Sequence, residues 1–259
     1  MARFLGTPVV AVGLGVGPIT TRFGAMLLGL SFPREIPIMA RDEESKQVLD
    51  ANGVKHAMVA ADVVLSFPPV TPSPKGYIAV ALRPFSQNGG VIPVGMRKSH
   101  KDPKDSRQIA AILDKASAET DLPIRFVSYE PDKDHAYQES IAAHMSSEVS
   151  FVNPTVDNVM EVIGSANVVI GMRYHAGIVA FLCGVPSVMI GYSPKVLSLA
   201  KEADEGCKVI ANTIEALESI PTLVEKVLGR GYSVVKARDR LRVKALNNVA
   251  PIRKLLQDR

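Results

Sequence analysis

The feature that most constrains the fold is an alternation. Short, apolar, β-branched runs are separated by longer stretches with helical periodicity. Pro8–Gly13, Ile36–Ala40, Tyr77–Leu82, Ile124–Ser128, Asn167–Ile170, Val188–Ile190 and Val209–Ala211 read as strands. Met58–Ala60 and Val63–Leu65 are smaller strand-like pieces. Between them, Arg22–Leu30, Arg41–Asn52, Asp105–Ala118, Asp134–Met145, Thr155–Gly164, Tyr174–Cys183 and Lys195–Lys201 read as helices. Thr213–Leu228 and Leu241–Leu256 follow as two long ones. Local chemistry supports several of these ends. Asp42, Glu43 and Glu44 place carboxylates in a first turn, Asn52-Gly53 stops that helix, and Thr155 or Asn153 can cap another. Strand runs apolar on both faces, joined through helices, predict an α/β fold with a parallel sheet covered on both sides. Ligands of such sheets bind outside the carboxyl ends of the strands, so residues just after a strand are the candidates for function.

Ser66–Lys75 (SFPPVTPSPK) interrupts the pattern with four prolines, which no helix or central strand tolerates. A boundary is therefore predicted near residue 74. It separates a partial N-terminal α/β domain, 1–74, from a Rossmann-like domain, 75–259, that ends in helices. The first part is thin for an independent domain, so the expectation is either that a partner, another chain or a second copy, completes it or that the reading frame begins inside a larger gene.

With 259 residues, 47% of them hydrophobic, the chain can bury a sizeable core. Its 5% aromatic content and lack of Trp argue against a base-stacking surface, and no nucleic-acid-binding module accompanies the charge. The net charge of +4 is gathered late, between Lys226 and Arg259, where it suits an anionic lipid face or an anionic substrate equally. Cys183 lies in an apolar run and Cys207 has no partner at ligand spacing, so neither a disulfide framework nor a metal pair is indicated. The five histidines lack H-x-x-x-H or H-E-x-x-H spacing, and P-loop and G-x-S-x-G motifs are absent. Neither a signal peptide nor an apolar run long enough to span a bilayer is recognised, which predicts a cytoplasmic protein able to touch the membrane's inner face.

Four places carry candidate chemistry. In Val168-Val-Ile-Gly-Met-Arg-Tyr-His175 a buried strand ends and a helix begins, bringing Arg173, a fork-shaped hydrogen-bond donor suited to carboxylate or phosphate, beside His175, an imidazole suited to proton transfer. Gly191-Tyr-Ser-Pro-Lys195 repeats that geometry. Lys195 there opposes the helix dipole, as a cation facing a bound anion would, with Tyr192 and Ser193 as hydroxyl donors. Arg83, ahead of Pro84, ends the strand that opens the second domain. The turn Gly13-Leu-Gly-Val-Gly-Pro18 suits close backbone approach to a ligand or another domain, with Arg22 just beyond. Each has a plain structural alternative: a solvated cation, a packed imidazole, a tight turn.

The segment GMRYHAGIVAFLCGVPSVMIGYSPKV resembles the C-terminal signature of the polysaccharide pyruvyl transferase family, its CsaB-like members in particular: an R-x-H helix start, then G-V-P, then Y-D-P-K-V. VGLGVGPITTRFG is similar to the family's G-x-G-I-G-P segment with its following arginine, ARDEES to R-D-x-x-S, and ALRP to its S-L-R-P-like strand end. The likeness spans roughly residues 7–205. It implies a fold like that of the two-domain GT-B glycosyltransferases, with the N-terminal domain here truncated. It also implies transfer of the phosphoenolpyruvate carbon skeleton to an amino sugar of a lipid-linked cell-wall polysaccharide precursor, as a pyruvate ketal. By position, His175 takes the catalytic role; Arg22, Arg83, Arg173 and Lys195 take substrate-binding roles, with Asp42 and Ser45 on the acidic segment. No metal or other cofactor is implied. Ser193 stands where the family has Asp, and much of the family's N-terminal domain has no counterpart. A truncated product, a divergent form and one partner of a split enzyme are the resulting expectations. The rival readings are a GT-B glycosyltransferase or nucleotide-sugar epimerase, whose ribose-binding acid would be Glu202 or Asp204, and a non-catalytic partner protein.

Overall fold

The computed structural model describes residues 7–17, 19, 21–84, 103–191, 194–202, 206–229 and 234–257. The chain divides into two compact units: Met1–Pro68 together with Arg238–Arg259, and Pro69–Ala237. The division falls inside the proline-rich stretch, at its first proline pair. The second expected domain is not continuous to the C-terminus, because the last segment groups with the first unit.

The first unit is a three-stranded parallel sheet, ordered β1 (Ala11–Leu14), β2 (Ile38–Ala40), β3 (Met58–Val59). Helix α1 (Arg22–Ser31) joins β1 to β2, and α2 (Glu43–Ala51) joins β2 to β3. Ile36, Ile38, Ala40, Leu49, Val54 and Ala57 form its core, with Leu28 of α1 packed against them. The opposite face of α1 is also apolar, and Phe23, Met26, Leu27 and Leu30 are exposed there. Val63–Leu65 is not a strand but part of a 3-10 turn, Val63–Ser66, because the Asp62 side chain accepts the Val64 N–H and closes it. The last helix is likewise two: α10 (Val235–Leu246) and α11 (Val249–Gln257). They part at Asn247–Asn248, where the Asn248 side chain engages the unit's own backbone instead of solvent.

The second unit is a six-stranded parallel sheet of order β6-β5-β4-β7-β8-β9. Its strands are β4 (Ile78–Ala81), β5 (Ile124–Val127), β6 (Val149–Val152), β7 (Val168–Gly171), β8 (Ser187–Gly191) and β9 (Cys207–Ala211). The crossovers are α3 (Pro103–Thr120), α4 (Pro131–Ala142), α5 (Val159–Gly164), α6 (Tyr174–Cys183) and α7 (Pro194–Glu202); α8 (Ile214–Leu217) and α9 (Ile220–Gly229) follow β9. Every residue of β4 and β7 is buried, as a central parallel strand requires. Ile78, Val80, Ile124, Phe126, Ile170 and Val188 build one side of the core against Leu113 of α3 and Val224 of α9. The predicted helix Thr213–Leu228 is broken between α8 and α9, since Pro221 can begin a helix but not continue one. Strand β6 was not anticipated. Its exposed Ser150 and Phe151 and lack of a sustained apolar run hide it, and as an edge strand it needs only one buried neighbour.

Asp114 of α3 holds the loop into β6, accepting the N–H groups of Ser146 and Ser147 and the Ser147 hydroxyl. Burial opposes its charge, but these hydrogen bonds outweigh that and keep its carboxyl below the usual range. A depressed carboxyl stabilises above its unfolded value, about 3.9, and loses that as pH falls through the folded one. Asp114→Asn is expected to cost about 1 kcal/mol at neutral pH, with the difference from the parent shrinking toward pH ~3. Urea titrations at the two pH values check it.

Candidate functional site

In the six-stranded sheet the chain runs outward from β4 to β6 and then returns to the other side of β4 as β7. The reversal between β4 and β7 is the switch point, outside whose carboxyl ends such sheets bind ligands. Arg83 leaves β4 there, half-buried. Arg173 leaves β7 and forms the N-cap of α6. His175 is exposed in the first turn of α6, its ring edge-on to Tyr174 at 5.4 Å between centroids. Lys195 is exposed in the first turn of α7, after β8. The parallel order β4-β7-β8 thus brings Arg83, Arg173, His175 and Lys195 to one rim. Tyr192, Ser193 and Asp204 lie outside the described residues; Glu202 is the last residue of α7.

A buried polar stripe organises this rim. Glu130, Asp134 and Gln138 recur at four-residue intervals on α4, so they share one face. Asp134 is fully buried and binds Arg173 twice, to Nε at 3.1 Å and to Nη2; its carboxylate also accepts the Glu130 N–H at 3.0 Å. Glu130 accepts Arg173 Nη1 and the Lys133 ammonium. Gln138, also fully buried, donates to the carbonyls of Leu82 and Val127 at 2.9 and 3.1 Å and accepts the Ser128 hydroxyl at 2.7 Å. One helix face therefore ties together the ends of β4, β5 and β7. Burial works against the Arg173 charge, but Asp134, then Glu130, overcome it and raise the guanidinium's pKa further. The Lys133 hydrogen bond, with Arg173, holds the half-exposed Glu130 carboxyl below its usual range. Arg173, expected as a substrate clamp, is thus compensated by two carboxylates, and its forked face is turned to α4. None of Glu130, Asp134 and Gln138 was singled out from the sequence. Their four-residue spacing was the available signal; polar residues at that spacing ordinarily mark a solvated face.

The first unit has its own carboxyl-end cluster. Asp42, at the N-cap of α2, accepts the Ser45 N–H at 2.6 Å, and Ser45 Oγ accepts the Val16 N–H at 3.0 Å. Both residues are buried. Arg41, also buried, pairs with Asp42 at 3.2 Å and lies 3.9 Å from Asp62. A Cβ at Gly15 would stand 2.6 Å from the Arg41 guanidinium, so a side chain there would displace the guanidinium from its place. Gly13, at φ +57°, donates its N–H to Asn248 Oδ1 at 2.9 Å, while Asn248 Nδ2 donates to the Ala61 carbonyl at 2.9 Å. The glycine turn is thus fastened to Arg41, Ser45 and Asn248. Asn248 lies 235 residues away in sequence, which no local pattern can reveal. Arg22 begins α1 and is exposed. Among the described residues no group of three or more His, Cys, Asp or Glu is placed to hold a metal ion.

Comparison with known proteins gives the fold a setting. The chain is similar to Anabaena HepE solved with UDP and glucose (TM-score 0.60, 13% identity, covering 100% of this chain and 74% of that one). It is similar also to the UDP-N-acetylglucosamine 2-epimerase of Rickettsia bellii (0.56, 11%, 99% and 69%). With the accessory secretory protein 1, 2 and 3 structure of Streptococcus pneumoniae the score is 0.51 at 8% identity, covering 90% of this chain and 46% of that one. At such identities the likeness is one of fold: mixed α/β with parallel sheets, GT-B-like and Rossmann-like, as expected. No curated protein matches the sequence. Residues 1–194, however, match the family described as polysaccharide pyruvyl transferase. That stretch holds the glycine turn with its Arg41–Ser45 fastening and the Arg83, Arg173 and His175 rim, and by it the chain belongs to the polysaccharide pyruvyl transferase family.

Proposed function

We propose that the chain transfers pyruvate from phosphoenolpyruvate to a sugar of a lipid-linked cell-wall polysaccharide precursor, in the manner of the CsaB-like enzymes. The observation that carries this reading is the family match together with the placement of Arg83, His175 and Lys195 at adjoining strand ends. Phosphoenolpyruvate brings a carboxylate and a phosphate. Arg83, Lys195 and the start of α6, whose first backbone N–H groups receive no side-chain cap, offer positive partners to both. Arg173 joins them only by exchanging Glu130 for substrate at Nη1, so we assign it first to positioning the α6 start. Protonation of the methylene carbon makes C2 electrophilic and a sugar hydroxyl adds there. Phosphate then leaves, and a second hydroxyl of the same sugar closes the ketal. His175 carries the proton, as acid toward the methylene or base toward a hydroxyl. In this reading the enzyme works in the cytoplasm on a membrane-borne substrate.

A second reading is a nucleotide-sugar enzyme, a glycosyltransferase or an epimerase. The fold neighbours whose structures are named for UDP or for UDP-sugar epimerisation favour it. Calorimetric titration with phosphoenolpyruvate and, separately, with UDP distinguishes the two. Phosphoenolpyruvate is expected to bind and UDP not to. Lys195→Ala and Arg83→Ala are each expected to weaken binding about tenfold or more, the loss of one charge-assisted contact. Binding of UDP alone would overturn the pyruvyl-transfer reading in favour of the second.

A further inference from the structure

Helix α11 and α10 from Arg238 onward belong to the first unit, and the two helices are strongly basic. Between Val235 and Gln257 there are seven Lys or Arg side chains against one acid, Asp239. Asp239 is paired with Arg238 at 2.9 Å. On α10 the inward stripe is Ala237, Leu241 and Ala245, all buried. The other face carries Val243, 67% exposed, and Leu246, with Lys236 and Arg240 exposed beside them. Helix α11 has no buried residue, although one side of it is apolar. Ile252 and Leu256, one turn apart, are exposed, the latter at 63%, and exposed Arg253 and Lys254 lie between them in sequence.

Large apolar side chains on a solvent face, interleaved with long cationic ones, suit one environment above others. A bilayer interface takes the apolar side chains below the headgroups and the cations at the phosphate level. A protein partner would need acids matched one by one, and nucleic acid would leave the apolar side chains unburied. The excess of positive charge is complementary to an anionic leaflet. We propose that α10 and α11 form a membrane-docking surface whose occupant is the anionic lipid bilayer. The inference is independent of the substrate: it rests on these two helices, and holds or fails whichever reading of the catalytic rim is right. Asn248, between the helices, fastens them to the glycine turn of the same unit, so the docking element is anchored and not a loose tail.

The test is co-sedimentation of the full chain with phosphatidylcholine vesicles, with and without about one third phosphatidylglycerol. Binding is expected to the anionic vesicles only, and to fall as salt is raised. Arg253→Glu with Lys254→Glu is expected to weaken it at least tenfold. Leu256→Ser is expected to weaken it several-fold while leaving the salt dependence in place. All three side chains are exposed, so thermal unfolding should match the parent, and circular dichroism confirms that the variants are folded. Equal binding to neutral and anionic vesicles, or unchanged binding by the charge-reversed variant, overturns the proposal. So does absence of vesicle binding, whether or not a duplex oligonucleotide is bound or Leu256→Ser dissolves an oligomer.

Discussion

Replacing Asp134 by alanine is expected to destabilise the second unit by about 3–5 kcal/mol, because it leaves the Arg173 guanidinium buried without its main counter-charge. The carboxylate is fully buried, the arginine side chain is 10% exposed, and two of the guanidinium's hydrogen bonds go to Asp134. The remaining partner, Glu130, is 43% exposed and so is screened by water, which limits how far it can substitute. The loss should be far from additive. Replacing Asp134 and Arg173 together by apolar residues of similar size removes both desolvation costs and is expected to recover much of the stability. Urea unfolding of the two single variants and the double variant measures this coupling. A single-variant cost below about 1 kcal/mol would make the pair no stronger than an ordinary surface bridge. Activity should fall with Asp134→Ala as well, since the same carboxylate orients the residue that starts α6.

The second large effect is on chemistry. His175→Ala is expected to lower the rate of phosphate release from phosphoenolpyruvate, with acceptor present, by about 10²–10⁴-fold, the usual worth of a positioned proton-transfer group. Its stability should stay within about 0.5 kcal/mol of the parent, because the side chain is exposed. Affinity for phosphoenolpyruvate should be largely retained, since Arg83 and Lys195 carry the anion contacts in this proposal. The pattern separates His175 from its neighbours: loss of turnover without loss of binding or fold. Unaltered turnover in the variant would remove the imidazole from the mechanism.

These two residues differ in how much of their place in the fold the sequence shows. His175 is visible in the sequence because it follows a strand of four apolar residues and opens a helix, and position alone recommends it. Lys195 and Arg83 are legible for the same reason. Asp134 is not. Its acidic side chain on a helix with little amphipathic contrast reads as solvated, and only the packing of α4 against the strand ends shows it buried. Arg173 was legible as a residue of the rim but not in its commitment to Asp134 and Glu130. Ser45 and Asp42 stand out through a motif, whereas the place of Arg41, in the same motif, is set by Asp42, Asp62 and the close approach of Gly15.

The sequence by itself determined the alternation of buried strands and helices, hence a parallel sheet, and the strand ends that form its rim. These follow from local chemistry: apolar periodicity, capping residues, and the inability of proline to continue a helix. The tertiary structure decided the partners. It returned the last segment to the first unit through Asn248, split the two long C-terminal helices, and spent the charge of Arg173 on buried carboxylates. The physical reason is that a side chain's charge and polarity are local properties, while its burial and its counter-charge come from residues tens to hundreds of positions away.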